Sequence, residues 1–485
     1  MSADRFSLFP LRTSLRLLPG WLLVAGLLLG AGMLLEKVPA LAWALLGIGG
    51  SFGLAMALGS AWFCAQLMVL GLFTGVLTAV PIGFTLKAPQ LFALLGLGAA
   101  ALTALRMRQM PAFPWHWALP FCLFILTILP SFLRVDRGAL GLAEAETSLR
   151  LLLNYGLLQG FTLLLLLTAN RIERVIKLLN LAFISCALSL LFGAGQQIGF
   201  YLGVYDPFAY LGQHSSIVDF YGPFLRLSPG TFANEYGEIL QTVGILLVGW
   251  LVLMPGKARH MPQALLLIAV MVGLVLNFTR ASWLVFAVGT FALLLAARLR
   301  LSALLGISLL GGLALALLLY LSQVLLEASV LLSVSQRFGE FGQLQGHSAG
   351  QRLQTWQLAW QAFLESPWIG QGWGRYGETH NVPLQLLAET GLMGFCGFYG
   401  LMLWSAVTMF RGWRVARDPL QRGLLLSFGI AFSGCLAFDL TNHGIYHFVL
   451  WFSLGMGLAL ARLNLYPDLP ASSPSDPALT AQTIN

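Results

Sequence analysis

Charged side chains are scarce in this sequence. They make up 9% of the 485 residues, whereas hydrophobic residues make up 58%. A soluble globular domain has about 25% charged residues, so the composition excludes an ordinary soluble protein. Apolar runs long enough to cross a hydrocarbon core of about 30 Å recur along the chain. The sequence therefore predicts an all-α polytopic membrane protein.

Several common functional motifs are also missing. The chain has no Walker A motif, no GxGxxG fingerprint after a strand and no HExxH motif. Its few cysteines all fall in apolar runs, where a free thiol behaves as a small hydrophobe, so we predict no disulfide framework, metal cluster or cofactor. They are Cys64, Cys122, Cys186, Cys396 and Cys435. If the protein is an enzyme that transfers a group, the lack of a nucleotide-binding motif implies a donor that arrives already activated.

The apolar runs predict about 12–14 transmembrane helices. The candidates are 15–35, 38–58, 60–81, 88–105, 115–133, 148–169, 174–203, 231–254, 263–279, 281–297, 301–325, 384–410, 421–440 and 444–462. With the N-terminus in the cytoplasm, alternation puts 17 of the 27 basic residues on the inner side. The positive-inside rule favours that orientation. The net charge of +8 is then explained by membrane orientation, and no nucleic-acid partner is needed.

The same alternation divides the chain into regions. Residues 1–20 are predicted as a cytoplasmic N-terminus and 21–203 as the first group of membrane helices. The Pro- and Ser-rich residues 466–485 are predicted as a disordered cytoplasmic tail. Two long segments, 204–230 and 326–383, fall on the outer side, and segments of that length usually carry function.

The second outer segment predicts an amphipathic helix. Leu353, Trp356, Trp360 and Phe363 recur at helical spacing, as expected for a short helix that lies at the membrane interface. A glycine-rich stretch, 370–377, follows it and allows tight turns.

His380 lies between that stretch and the next apolar run. Thr379 or Asn381 can cap the new helix, and Pro383 suits its first turn. The positive end of a helix dipole disfavours an imidazolium, so a neutral histidine that accepts a proton is one interpretation. A histidine that only caps or hydrogen-bonds the loop is the other.

Four of the arginines on the predicted outer side are candidate site residues. Arg280 interrupts an apolar run, 264–297, that is too long for one span, so a close helical hairpin or re-entrant turn is predicted there. Arg226, Arg352 and Arg375 lie in the outer segments. Each can be a snorkelling anchor or an ion-pair partner, or several together can hold a diphosphate through bidentate hydrogen bonds.

Asp439, His443 and His447 are spaced i, i+4 and i+8. On one continuous helix they would share a face and could bind a metal. Gly444 and the predicted turn at 441–442 favour a break instead. Structural hydrogen bonding, or lining of the outer end of a cavity, is therefore the preferred interpretation.

The series RLSPGTFANE from Arg226, FTRASW around Arg280, GQRLQTW around Arg352 and HNVPLQLLAETGLMG from His380 resembles the O-antigen ligase and polymerase superfamily. The agreement covers roughly 220–400, and its most specific element also includes Asn381 and Glu389. Thr279 stands where the family often has Ser. Asn234-Glu235 replaces an Asn-Pro-Asn-like element.

The resemblance implies a metal-independent, inverting glycosyltransferase with its catalytic membrane region at 204–465, including a periplasmic loop at 326–383. Its donor would be an undecaprenyl diphosphate-linked glycan, and its acceptor lipid A-core or a second glycan, at the periplasmic face of the bacterial inner membrane. A protein-glycosylating relative would instead use a Ser or Thr hydroxyl.

Roles carried over from the family are implied for each matching residue. His380 would act on the acceptor hydroxyl, and Arg280 would hold the diphosphate with Arg226 and Arg352. Asn381, Glu389 and Arg375 would support the site. A polymerase that joins lipid-linked repeat units is the nearest alternative. A polysaccharide or lipid-carrier transporter is the alternative of another class.

Overall fold

The computed structural model describes residues 60–73, 80–81, 85–107, 113–134, 142–204, 220–221, 224–229, 231–253, 261–296, 306, 309, 311–313, 320 and 347–467. The chain divides into two compact units, Met1–Ser60 and Ala61–Asn485. The helices and the candidate site belong to the second unit. Several predictions lie wholly or largely outside the described residues. They are the N-terminus 1–20, the spans 15–35, 38–58 and 301–325, the first part of the loop 326–383, and the tail 466–485.

Eight described helices are long and apolar enough to cross a membrane. We number the described α-helices in chain order. They are α1 Ala61–Leu70, α2 Ala88–Met107, α3 Leu119–Arg134, α4 Leu142–Thr168, α5 Ile172–Tyr201, α6 Ala233–Leu253, α7 Met261–Asn277, α8 Arg280–Ala296, α9 His347–Glu365, α10 Val382–Val415, α11 Pro419–Phe438 and α12 Phe448–Leu465. The shorter apolar helices are α1, α7 and α8. The all-α polytopic prediction is confirmed, and eleven of the fourteen predicted spans coincide with described helices.

The described residues also contain two short antiparallel ribbons. Strands β1 (Val80–Pro81) and β2 (Thr85–Leu86) form the first, and β3 (Phe220–Tyr221) and β4 (Phe224–Leu225) form the second. Each strand has two residues, so the ribbons act as turns rather than as a sheet. The second ribbon leads directly into Arg226.

Helices α6 and α12 lie at the centre of the bundle and are buried over most of their length. Around α6 pack α7, α8 and α11, while α12 contacts α4, α10 and α11. Glycines on α6 allow α7 and α8 to approach it closely, because a Cβ at Gly244 would meet Val270 of α7 and Phe286 of α8. Small residues at such crossings are the usual means of packing membrane helices closely.

The predicted hairpin at Arg280 is confirmed. Helix α7 ends at Asn277, Phe278 takes a left-handed backbone with φ +56°, and α8 begins at Arg280. Gly237 lies against both Asn277 and Ser282, whereas the deeper Gly244 lies against Val270 and Phe286. The two helices therefore run antiparallel, with their tip beside the start of α6. Each has 17 residues and is about 25 Å long at 1.5 Å per residue.

Helix α10 is interrupted near its start, a feature that the sequence pattern did not predict. Gly391 has φ 61° and ψ −163°, which breaks the helical hydrogen-bond ladder. Segment 367–372 occupies the break with four backbone hydrogen bonds, in which Gln371 donates to Ala388 (2.8 Å), Gly372 to Glu389 (3.1 Å), Leu392 to Pro367 (2.8 Å) and Met393 to Trp368 (3.1 Å). The break thus fixes the loop that leads to His380.

Candidate active site

The predicted site residues collect at one end of the helix bundle. The start of α6, the tip of the α7–α8 hairpin, the start of α10, the end of α11 and the start of α12 all meet there. His116 marks the opposite end, because it contacts Tyr466 beyond the far end of α12.

His380 lies in the turn between a 3₁₀ segment, Gly377–Thr379, and α10. Its backbone is left-handed, with φ 51° and ψ 31°. Asn381 caps the helix, since its Oδ1 accepts the backbone N–H of Leu384 at 2.9 Å. Of the two predicted caps, Asn381 is the one observed, with a proline in the first turn as expected.

A second histidine lies against the first. The rings of His380 and His443 have centroids 4.0 Å apart and are tilted by 38°. The segment that carries His443 is tied to α10 by the backbone N–H of Val382, which donates to the carbonyl of Asp439 at 2.9 Å. The side-chain amide of Asn381 donates to the carbonyl of Leu440, also at 2.9 Å.

Burial, followed by the charges of His380, His447 and Arg352 in that order, lowers the pKa of His443 to about 3. His443 is therefore neutral across the physiological pH range. Arg352 lies on α9 one turn before Trp356, whose indole N–H donates to the carbonyl of Thr379 at 2.9 Å, so this part of α9 lies beside the turn that carries His380.

The predicted break between Asp439 and His447 is confirmed. Helix α11 ends at Phe438, a 3₁₀ turn covers Gly444–Tyr446, and α12 begins at Phe448. The three side chains therefore do not share one helical face. Over the part of the chain that the structure describes, no group of three or more His, Cys, Asp or Glu is placed to hold a metal.

His447 instead forms a buried ion pair with Glu238 of α6. Burial alone would lower the pKa of His447, but the charge and hydrogen bond of Glu238 outweigh it and raise that pKa, with a smaller contribution from Glu235. Asp439 is fully buried close by, and burial followed by the charge of Glu238 raises its pKa well above the ordinary value.

Arg226 is buried beside the hairpin tip. Its Nε donates to the carbonyl of Asn277 at 2.8 Å and its Nη2 to Oγ1 of Thr279 at 2.7 Å. The same Nη2 lies 3.4 Å from Oδ1 of Asn234. Arg280 follows Thr279 directly and is half-buried at the start of α8. Arg226 of the first outer segment and Arg280 therefore both lie at the hairpin tip.

The first turns of α6 connect the arginine group to the histidine group. Asn234 contacts Arg226, and Glu238, one turn later, binds His447. Between them, Glu235 pairs with Lys87 at 3.6 Å.

Glu389 and Arg375 lie in different surroundings. Glu389 is fully buried in α10, and its Oε1 accepts the backbone N–H of Tyr376 at 2.8 Å and the amide of Gln385 at 3.2 Å. The hydrogen bond to Tyr376 therefore holds the glycine-rich loop against α10. Arg375 is exposed on that loop.

Sequence reasoning did not single out Glu238 or Lys87. The signal was present, because two acidic residues occur within one turn of an otherwise apolar helix, and ionisable residues inside membrane helices usually have partners. The partners could not be identified without tertiary structure. Glu238 pairs with His447, 209 residues later in the chain, and Lys87 comes from the first group of helices.

Comparison with known proteins gives one family. The O-antigen ligase model matches residues 264–399, which confirms the resemblance over that part of the chain. The matched part includes Arg280, Arg352, His380 and Glu389 but neither Arg226 nor the two histidines after α11. No curated protein matches the chain.

Proposed function

We propose that this membrane protein is a glycosyltransferase, on the basis of the O-antigen ligase match over residues 264–399. Its donor is a glycan linked to undecaprenyl diphosphate, and its acceptor is a hydroxyl of lipid A-core, as in a ligase. The observation that carries the proposal is the meeting of His380, Arg352, Arg226 and Arg280 at one end of the bundle. A histidine and several permanent cations are the groups that such a transfer needs.

In the proposed reaction, His380 takes the proton of the acceptor hydroxyl as that oxygen attacks the anomeric carbon. The new glycosidic bond forms with inversion, while the bond between the anomeric carbon and the diphosphate oxygen breaks. Undecaprenyl diphosphate leaves with the bonding electron pair. A positioned base of this kind typically contributes about 10²–10⁴-fold in rate.

The arginines stabilise the charge that develops on the leaving group. Arg280 is at the hairpin tip beside Arg226, and Arg352 is on the histidine side, so the diphosphate lies between the two groups. One preorganised donor in an oxyanion hole contributes about 2.7–4 kcal/mol, so charge stabilisation by several arginines suffices without a metal ion.

The neighbouring residues hold these groups in place. Asn381 caps the helix that follows His380, and Glu389 binds the backbone of the loop that precedes it. In the proposed reaction Arg375, which is exposed on that loop, contacts the donor or acceptor glycan.

The proposed setting is the bacterial inner membrane, with both termini in the cytoplasm and the site at the periplasmic face. The excess of basic residues in the predicted inner segments supports this orientation. Lipid-linked glycans on that face carry their own activation, which suits a chain without a nucleotide-binding motif.

Reconstitution tests the proposal. The protein in liposomes would receive one defined undecaprenyl diphosphate glycan and three competing acceptors: lipid A-core, a second lipid-linked repeat unit and a serine-containing protein. Mass analysis of the products should show transfer to lipid A-core. Transfer to the repeat unit instead would identify a polymerase, and transfer to the protein would identify a protein glycosyltransferase.

The His380→Ala variant should lose transfer by about 10²–10⁴-fold. His116→Ala is the matched control, because that histidine is exposed at the opposite end of the bundle. Undiminished transfer by His380→Ala would disprove the catalytic role. Movement of the lipid-linked glycan across the membrane without product would identify a transporter.

A further inference from the structure

His380 is held in an unusual position by one neighbouring segment. Its φ of 51° is rare for a residue with a side chain, so the surroundings must maintain it. The turn after α11 supplies two tethers on its C-terminal side, through Asn381 to Leu440 and through Val382 to Asp439. The same turn places His443 against its ring.

His443 is itself held firmly. It is half-buried, and the next residue, Gly444, packs against the carboxyl group of Asp439 so closely that a Cβ there would collide with it. The turn that carries His443 is therefore held by its neighbours, and the 4.0 Å centroid distance is a direct stacking contact of its ring with His380.

On the basis of the proposed function, we propose that His443 is a positioning residue that fixes the plane of the His380 imidazole through stacking, and that it exchanges no proton itself. The orientation of that plane decides whether a ring nitrogen points at the acceptor hydroxyl. Misplacement of a reacting group by about 1 Å can cost about 10²-fold in rate, so the loss of a stacking partner should be visible in kcat.

The electrostatics agree with a role without proton transfer. The charged or titratable groups that act on His443 are His380 before α10, His447 in its own turn and Arg352 of α9. All of them disfavour a positive charge on His443, and burial acts in the same direction. A neutral aromatic ring can therefore replace it.

The test compares His443→Phe with His443→Ala in the liposome assay. Phe keeps a flat ring, so kcat should remain within about threefold of the native value, and the pH–rate profile between pH 5 and 9 should not move. Ala removes the ring, so kcat should fall by about 10–100-fold with little change in KM for the donor.

A double variant separates positioning from a general structural effect. If His443 acts only through His380, adding His443→Ala to His380→Ala should lower the residual rate no further. A further fall would indicate a structural role and overturn the inference. So would a Phe variant as slow as the Ala variant, because that result requires a proton or a hydrogen bond from His443.

The outcomes also separate this inference from the proposed function. If His380→Ala loses transfer while His443→Ala retains the native kcat, only the stacking role fails. If His380→Ala retains transfer, the proposed function fails. Should His443→Ala not fold, judged by thermal unfolding in detergent, the kcat and pH profile of the Phe variant still decide the matter.

Discussion

Gly391 packs its bare α-carbon against the backbone carbonyl of Trp368, and no space for a Cβ remains between them. This contact joins the break in α10 to the loop after α9. The same loop continues to His380 through the eleven residues 369–379. The geometry at Gly391 therefore affects the position of the candidate base through this loop and through the backbone hydrogen bonds that tie it to α10.

The Gly391→Ala variant should therefore lose both stability and activity. Its φ of 61° and ψ of −163° belong to a region that is essentially restricted to glycine. We expect a loss of about 1–3 kcal/mol in the free energy of unfolding, with faster proteolysis of segment 367–380 and lower transfer.

Gly400→Ala is the matched control in the same helix. A Cβ there would meet open space, and alanine is about 1 kcal/mol better than glycine in a helix interior. Thermal unfolding in detergent should show equal or higher stability for this variant. A Gly391→Ala protein as stable and active as Gly400→Ala would show that the docked loop does not depend on the break.

Arg226 is bonded to the hairpin tip through two different nitrogen atoms, so its geometry as well as its charge should matter. Lysine keeps the charge but cannot donate from separate positions to Asn277 and Thr279. We expect Arg226→Lys to lower the thermal unfolding temperature and to raise KM for the donor, because Arg280 at the tip loses its support. A native unfolding temperature together with a native KM would contradict the inference that Arg226 supports Arg280 at the hairpin tip.

Thr279 offers a matched pair for the same contact. Thr279→Ser keeps the hydroxyl that accepts from Arg226, whereas Thr279→Val removes it at nearly constant volume. The serine variant should retain native activity. The valine variant should lose about 1.5–3 kcal/mol in the free energy of unfolding, the usual contribution of a hydrogen bond to a charged group. Equal behaviour of the two would exclude a role for the hydroxyl.

Sequence periodicity predicted the helices well because apolar length alone decides which segments can cross a bilayer. Local signals also predicted a close hairpin or a re-entrant turn at Arg280 and a helix cap at Thr379 or Asn381, and the structure has the hairpin and the cap at Asn381. The discontinuity at Gly391 was not predicted. Glycine is tolerated within membrane helices, and the segment that fills this break comes from 367–372, which no local pattern connects to it.

In the candidate site, too, features with a local sequence signal were predicted and features that depend on tertiary packing were not. Position along the chain was enough to select His380 and the arginines, because polar residues near a bilayer are costly and so stand out. The pairing of His443 with His380, and of His447 with Glu238, depends on which helices pack together. Spacing within one segment carries no information on that. The spacing of Asp439, His443 and His447 by four residues allowed a shared face, but Gly444 and the predicted turn at 441–442 favoured the break that the structure has.

The ion pair between His447 and Glu238 should make stability depend on pH. The pKa of His447 is raised in the folded protein, so its stabilising contribution is fully present below its ordinary pKa of about 6.5. That contribution is lost as pH rises through the higher folded value. His447→Gln should therefore lower the unfolding temperature more at pH 6 than at pH 9.

His116→Gln serves as the control for that measurement, since it changes an exposed histidine at the other end of the bundle. It should leave the unfolding temperature close to native at both pH values. A His447→Gln deficit that stays constant or grows between pH 6 and pH 9 would contradict the charged pair.

Asn381 performs two tasks that different substitutions can separate. Its Oδ1 caps α10, and its Nδ2 ties the start of that helix to the carbonyl of Leu440. Asn381→Asp keeps an acceptor at the cap and adds a negative charge at the positive end of the helix, but it has no donor for Leu440. Asn381→Ala loses both contacts, and loss of the cap alone costs about 0.5–2 kcal/mol.

We therefore expect the aspartate variant to unfold near the native temperature and yet to transfer glycan slowly, because the turn that carries His443 is no longer tied beside His380. The alanine variant should be both less stable and slow. Measuring kcat and unfolding temperature on the same preparations checks this. Native kcat in the aspartate variant would mean that the cap alone orders the site, and that the tether to Leu440 has no part in placing the two histidines against each other.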